Sequence, residues 1–217
     1  MYIFNMKLHS YYRSSASFRV RIALNLKGVA VEHVPVHLLK DGGQQKLPTH
    51  LLRNPQALVP VLELDDGTLL TQSLAIIEYL DATFPCPHLI PEDPVLAARV
   101  RAVALAISCE IHPLNNLRVL NYLKGQLCQP KEAVDAWISH WMLNGGLEAV
   151  EALLPGDEFC FGPAPTLADC FLIPQLFNAK RFNVPYDGLA RIRRVEQSCE
   201  KLGAFVKAHP AHQPDAE

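Results

Sequence analysis

The chain changes its hydrophobic period once, near residue 85, and that change constrains its fold more than any other feature. Before it, short runs with strand periodicity alternate with runs of helical spacing; after it, only helical spacing recurs. Lys7 to Tyr12 reads as a first strand. Ala16, Val20, Ala23 and Leu24 then follow at helical intervals, with Gly28 placed to end the helix. Val31 to Val36 is alternating and β-branched, so it reads as a second strand. A polar KDGGQQK stretch leads into a helix around Leu47 to Arg53. In VPVLELDDGTLLTQS, two strand-like runs flank Asp65, Asp66 and Gly67, a hairpin signal. Ser73 can cap the helix that follows, whose Leu74, Ile77 and Leu80 share an apolar face. The order β-α-β-α-β-β-α predicts a small layered α/β domain.

The segment PCPHLIPEDP has the composition of a linker. Beyond it, Asp93 and Pro94 fit an N-cap and first helical position, and helix continues until Pro113 kinks or stops it. Lys131 to Leu154 reads as a helix that Gly145 and Gly146 weaken or open to close backbone contact. Thr166 to Asp169 (TLAD) matches a capping box, which assigns Asp169 to structure, and Asp187 to Leu202 is helical in pattern. The expected fold is α/β plus all-α, with an N-terminal domain over residues 1–86 and a helical domain over 92–217. A chain of 217 residues can bury a core in each.

Charge excludes several function classes. The net charge is -2, and the part before residue 90 holds 8 basic and 7 acidic residues, so no nucleic-acid-binding face is expected. The longest stretch free of Asp, Glu, Lys and Arg, Ala136 to Leu147, falls well short of the roughly 18 to 20 apolar residues of a membrane helix. The start, MYIFNMKLHSYYRSS, lacks the pattern of a secretory signal, and a cytoplasmic location is expected. Cys86, Cys109, Cys128, Cys160, Cys170 and Cys199 form no CxxC pair and no zinc spacing. Reduced, mostly buried thiols and no metal are expected.

Chemistry concentrates at the junction after the first strand, RSSASFRVRIAL. A strand feeding directly into a helix sets exposed amides and the positive end of a helix dipole beside Ser14 and Ser15, where an anionic sulfur or oxygen is stabilised. In a thioredoxin-type layout this junction carries the redox CxxC; here Arg13, Ser14, Ser15 and Ala16 contain no cysteine, so any thiol must come with a ligand. The structural alternative is an N-cap serine worth about 1 kcal/mol. Val59 and Pro60 precede a strand, where a cis proline can hold a backbone edge open for an extended peptide. Gln72 and Ser73 sit at another helix N-terminus, suited to a carboxylate. Trp137 and Trp141, one turn apart, fit core or interface.

RSSASFRVRIALNLKG, KDGGQQ, NPQALVPVLE, TQSLAIIEYL, IHPLNNLRVL, TLADCFLIPQLFNAKRFNV and the terminal HPAHQPDAE, taken together and in this order, resemble the zeta class of glutathione transferases, the maleylacetoacetate isomerase family. The resemblance spans nearly the whole chain. It implies a thioredoxin-like N-terminal domain, an all-helical C-terminal domain, a homodimer, and glutathione as the cofactor. It further implies that Ser14 and Ser15 activate glutathione, with Ala16, Ser17, Phe18 and Arg19 lying along it. Gln45, the Val59 backbone beside Pro60, Gln72 and Ser73 would contact it as well, joined by His112, Asn116 and Arg118 from the helical domain. Arg13 and Arg181 are candidates to bind the carboxylates of a small unsaturated diacid, and Arg13 to assist catalysis.

The implied reaction is cis to trans isomerisation of maleylacetoacetate to fumarylacetoacetate by thiolate addition, bond rotation and elimination. Maleylpyruvate isomerisation is the alternative, and a transferase acting on haloacids shares every glutathione contact. From another class, a non-catalytic glutathione-binding scaffold would not need all of Ser14, Ser15, Gln72 and Ser73. Ala16 stands where the family commonly has cysteine, which removes a cysteine-assisted step, and His112 stands where some relatives carry glutamine. Arg13 as a solvated strand-end charge, Arg181 as a helix-end cation and His112 as a packing residue are the structural readings of those three side chains.

Overall fold

The structure is a computed structural model that describes residues 5–217; the first four, part of the amino-terminal stretch read above for a secretory signal, lie outside the described residues. In chain order the regular elements are β1 (Lys7–Ser10), α1 (Ser15–Lys27), β2 (Glu32–Pro35), α2 (Pro48–Leu51), β3 (Val61–Glu63), β4 (Leu69–Thr71) and α3 (Ser73–Thr83). Helices then follow: α4 (Pro94–Leu105), α5 (Leu117–Gly125), α6 (Lys131–Met142), α7 (Glu148–Leu153), α8 (Leu167–Arg181), α9 (Ala190–Cys199) and α10 (Gly203–Ala208). Two compact units result: the residues up to Leu89 together with Glu200–Glu217, and Ile90–Cys199. The sequence pattern had grouped Glu200–Glu217 with the helical part of the chain. In the structure α10 packs on α1, because the apolar Phe205 and Ala208 of so short a helix need an existing surface to bury against.

The first unit is built on a four-stranded sheet of order β2-β1-β3-β4, with β1 parallel to β2 and antiparallel to β3, and β3 antiparallel to β4. The β3–β4 hairpin turns through Asp65 to Gly67, as its sequence signals. Leu8 and Leu62 from the sheet, Phe18 and Ile22 from α1, and Ile76, Ile77 and Leu80 from α3 are all fully buried. The β1–α1 order puts the start of α1 directly after the central strand, with Tyr11 to Ser14 as the turn between them.

At the end of the sheet, buried His9 meets Glu63 through its Nε2 at 2.7 Å, and Lys7 and Arg53 also approach that carboxylate, at 3.8 and 3.9 Å. A carboxylate can only accept, so the neutral imidazole carries its hydrogen on Nε2. Burial lowers the His9 pKa and the Glu63 hydrogen bond opposes it without reversing the shift. On acidification the unfolded chain therefore takes up this proton before the folded one does. Stability present above the ordinary histidine value of about 6.5 is lost as pH falls below it. The melting temperature should drop between pH 7.5 and 5.5, and His9→Gln, which keeps a donor for Glu63, should flatten that dependence.

In the second unit Asp93 caps α4, its Oδ1 accepting from the Leu96 N–H at 2.7 Å. The run after α4 widens into a π-helical stretch over Ala106–Ile111 and then tightens into a 3-10 turn at Pro113–Asn115. The helix read as continuous from Lys131 to Leu154 is broken: Asn144 and Gly145 have non-helical backbone, which separates α6 from α7. At Gly146 a Cβ would stand 2.8 Å from the Trp141 carbonyl oxygen, so this glycine serves close approach. Trp137 donates its indole N–H to the Leu114 carbonyl at 2.8 Å and lies against Trp141. Val100, Val103, Ile107, Leu147, Leu167, Phe171 and Leu176 form the buried interior.

No helix among the described residues is long and apolar enough to cross a membrane. Cys160, Cys170 and Cys199 are buried and Cys86, Cys109 and Cys128 exposed, so half of the thiols, rather than most, are inside.

Candidate active site

Ser14 is the N-cap of α1. Its backbone is extended (φ -67°, ψ 119°), its Oγ accepts from the Ser17 N–H at 3.2 Å, and its N–H donates to the Tyr11 carbonyl at 3.0 Å. The cap uses a lone pair of the hydroxyl and leaves its hydrogen for a ligand, so the capping and chemical readings of Ser14 are compatible. Ser15 is the first residue of the helix and is 4% exposed against a half-buried Ser14, which makes Ser14 the more accessible hydroxyl. Ala16 is half-buried in the first turn; Ser17, Phe18 and Arg19 are buried, and the Ser17 Oγ has no hydrogen-bond partner among the described residues.

Arg13 is half-buried. Its Nη2 donates to the Tyr11 hydroxyl at 3.0 Å, and its guanidinium lies over the Tyr11 and Tyr12 rings, 5.8 and 5.4 Å from their centroids. These contacts take it out of the solvated-charge class. Burial raises the Tyr11 phenol's pKa, and the Arg13 hydrogen bond works against that shift. Tyr11, Tyr12, Val36 and Val59 form one apolar cluster with Leu38 packed on it. The cluster draws the β1–α1 turn, the loop after β2 and the approach to β3 into one bed.

Three further candidates join this bed. The Val59–Pro60 peptide is cis, and both residues are buried ahead of β3. Gln45 is buried, its Nε2 reaching the Leu38 carbonyl at 3.5 Å while its Oε1 has no partner among the described residues. A Cβ at Gly43, where φ is 104°, would sit 2.8 Å from the Gln45 Nε2, so glycine there leaves room for the amide. An acceptor buried without a donor is costly unless a ligand supplies one, and a peptide ligand offers N–H groups.

Gln72, not Ser73, occupies the N-cap position of α3, and Ser73 is its first helical residue. Ser73 Oγ instead accepts from Arg19 Nη1 at 3.2 Å, tying α3 to α1. Gln72 has φ 67°, a left-handed backbone that costs a non-glycine residue of order 1 kcal/mol and collects at ligand-binding positions. Its exposed side chain donates to Gln56 Oε1 at 2.8 Å. The sequence carried no sign of Gln56 in this role.

The remaining candidates belong to the second unit. His112 ends the π-helical stretch and is half-buried; Asn116 caps α5, accepting from the Arg118 N–H at 3.1 Å, and Arg118 is exposed. Arg181 ends α8, with its guanidinium 4.4 Å from the Phe182 ring centroid. Among the described residues no group of His, Cys, Asp and Glu is arranged to hold a metal ion.

A mixed sheet with two helix N-termini, a capping serine where redox relatives carry cysteine, and a cis proline beside the bed define a thioredoxin-like domain of the glutathione-binding kind, followed by a helical unit. The family models of the glutathione S-transferase N-terminal and C-terminal domains match residues 8–88 and 132–208. The chain is 50% identical over 210 residues to maleylacetoacetate isomerase of Pseudomonas aeruginosa, covering 97% of this chain and 98% of that protein. Among solved structures it resembles a bacterial maleylpyruvate isomerase described as a zeta-class glutathione transferase (TM-score 0.92, 44% identity, 97% and 100% of the two chains). It also resembles maleylacetoacetate isomerase from Anaeromyxobacter dehalogenans with bound glutathione (TM-score 0.88, 40% identity, 100% of each chain). The chain belongs to the zeta class of the glutathione transferase family, together with the maleylacetoacetate and maleylpyruvate isomerases.

Proposed function

We propose that this protein is a glutathione-dependent cis-trans isomerase that converts maleylacetoacetate to fumarylacetoacetate. The observation that carries the reading is the placement of Ser14 at the N-terminus of α1, after Tyr11 and Tyr12 of a bed that includes Val59 and that Gln45 meets at the Leu38 carbonyl, within a chain half identical to a maleylacetoacetate isomerase. When bound, glutathione supplies the nucleophilic sulfur whose reversible addition turns the cis double bond into a rotatable single bond. Ser14 donates its hydroxyl hydrogen to that sulfur and, with the amides that open α1, holds it as a thiolate. The unpartnered Gln45 Oε1 accepts a peptide N–H, the Val59 backbone pairs along the tripeptide, and Gln72 and Ser73 hold the γ-glutamyl end at the start of α3. Ser15 and the Ala16 to Arg19 turn line the same tripeptide.

Arg13 takes a carboxylate of the diacid and neutralises the negative charge that develops on the substrate's carbonyl oxygen. Arg13 is suited to this because Tyr11 and Tyr12 fix its guanidinium before any substrate arrives. The working form is a cytoplasmic homodimer, which light scattering on the purified protein would test.

Maleylpyruvate isomerisation is the second reading, favoured by the TM-score of 0.92 to such an enzyme. An ultraviolet assay of both substrates side by side, with and without glutathione, separates the two. Turnover of maleylacetoacetate that requires glutathione is the expected result, and faster turnover of maleylpyruvate would reassign the substrate. Glutathione binding with no turnover of either, or activity on haloacids alone, would replace the isomerase reading with a scaffold or a transferase.

A further inference from the structure

We propose that Asp215 is a positioning residue for the glutathione half of the site, holding the Tyr11–Ser14 turn through a hydrogen bond from the Tyr12 N–H. The inference rests on the reading of Ser14 as the thiol-activating group. Tyr12 lies beyond the last residue of β1, Ser10, and its N–H donates to Asp215 Oδ2 at 2.9 Å from a partner 203 positions away in the chain. The same peptide segment is gripped from its other side. Arg21, buried in α1, donates from Nη2 to the Tyr12 carbonyl at 2.8 Å and from Nε to the Ala208 carbonyl at 3.0 Å.

The segment after α10 is itself shaped to deliver Asp215. Gln213 Nε2 donates to the carbonyls of Lys207 and His209, at 2.9 and 3.0 Å, turning the backbone toward the turn. Two residues past Asp215, Glu217 pairs with Lys40 and reaches His37 Nε2 at 3.6 Å. His37 Nδ1 accepts from the N–H groups of Leu39 and Lys40, so it shapes the loop that leads to Gln45. One short segment therefore touches both stretches that carry glutathione-side candidates.

The strand does not depend on these contacts, since β1 is fixed by its ladders to β2 and β3. What Asp215 fixes is the turn past the strand, whose next two residues are Arg13 and Ser14. Losing the acceptor would leave the Tyr12 N–H without its carboxylate and let the turn sample other geometries.

The test is calorimetric titration of the full chain with glutathione, together with kcat and KM for glutathione. Asp215→Ala should weaken glutathione binding by about tenfold, the loss of one hydrogen bond to a charged group. Asp215→Asn, whose Oδ1 can accept the same N–H, should stay within about twofold. Asp215→Glu keeps the charge but displaces it by a methylene, and should behave like Asp215→Ala. Asp93→Ala, which removes the α4 cap in the other unit, should lower the melting temperature and leave glutathione binding unchanged. Wild-type affinity in Asp215→Ala, or equal losses in the Ala and Asn variants, would overturn the positioning role while leaving the site reading intact. A wild-type chain that binds no glutathione would overturn both.

Discussion

Ser14→Gly should reduce glutathione-dependent turnover by roughly 100-fold or more, the scale of losing one preorganised donor to a developing anion, while glutathione still binds. Glycine is the informative replacement because it serves as an N-cap at a cost of only a few tenths of a kcal/mol, whereas alanine costs about 1 kcal/mol. Ser14→Ala then loses the same turnover plus a measurable part of the melting temperature, separating chemistry from capping in two variants. Ser15→Ala should keep most of the activity, since Ser15 is 4% exposed and sits inside the first turn. The reverse pattern, with Ser15 essential and Ser14 dispensable, would move the thiolate site by one residue. Full activity in both would remove it from this junction. A plot of the bound thiol's ultraviolet absorbance against pH gives the second readout: Ser14→Gly should shift the thiolate transition upward by the hydroxyl's contribution.

The sequence made Ser14 legible because its information is local: a strand period that ends, a serine, and a helical period that begins. The Asp93 and Thr166 caps and the Asp65–Gly67 hairpin were readable for the same reason, since each is a short-range pattern with one strongly favoured backbone solution. What escaped was tertiary. The left-handed Gln72 is imposed by the exit from β4 into α3 and has no glycine to advertise it, which is why Ser73 looked like the cap. The break at Asn144 and Gly145 falls at the glycines the sequence marks as weakening the helix or permitting close backbone contact, and only the packing of Gly146 against Ile111 is tertiary. Helix α5 lies between Pro113 and Pro130, and its 9 residues are fewer than a helical period needs to stand out. The docking of Asp215 on Tyr12 joins residues at nearly opposite ends of the chain. Fold class and the chemical junction were thus carried by local pattern, while the grip on that junction was carried by distant contacts.

Asp169→Ala should be the most destabilising single change discussed, lowering stability by about 3 to 5 kcal/mol, the scale of two stranded buried backbone donors at about 1 to 3 kcal/mol each. Its carboxylate is fully buried and satisfies several donors at once. Oδ2 accepts from the Thr166 N–H at 2.7 Å and the Thr166 hydroxyl at 2.9 Å, and Oδ1 accepts from the Cys160 N–H at 2.9 Å. Burial raises the Asp169 pKa, and these hydrogen bonds pull in the opposite direction. Alanine would strand the backbone donors of Thr166 and Cys160 and leave a small void beside the Cys199 thiol. Asparagine keeps one acceptor but turns an amide toward a donor, so Asp169→Asn should fall between the wild type and alanine. For a chain of this size the alanine variant should melt roughly 10 °C lower. Below its transition it should still bind glutathione normally, because Asp169 sits within the helical unit and holds the start of α8 rather than the Ser14 turn. A variant that melts like the wild type would show that the capping box does not anchor α8, and one that folds but fails to bind glutathione would give Asp169 a part in the site.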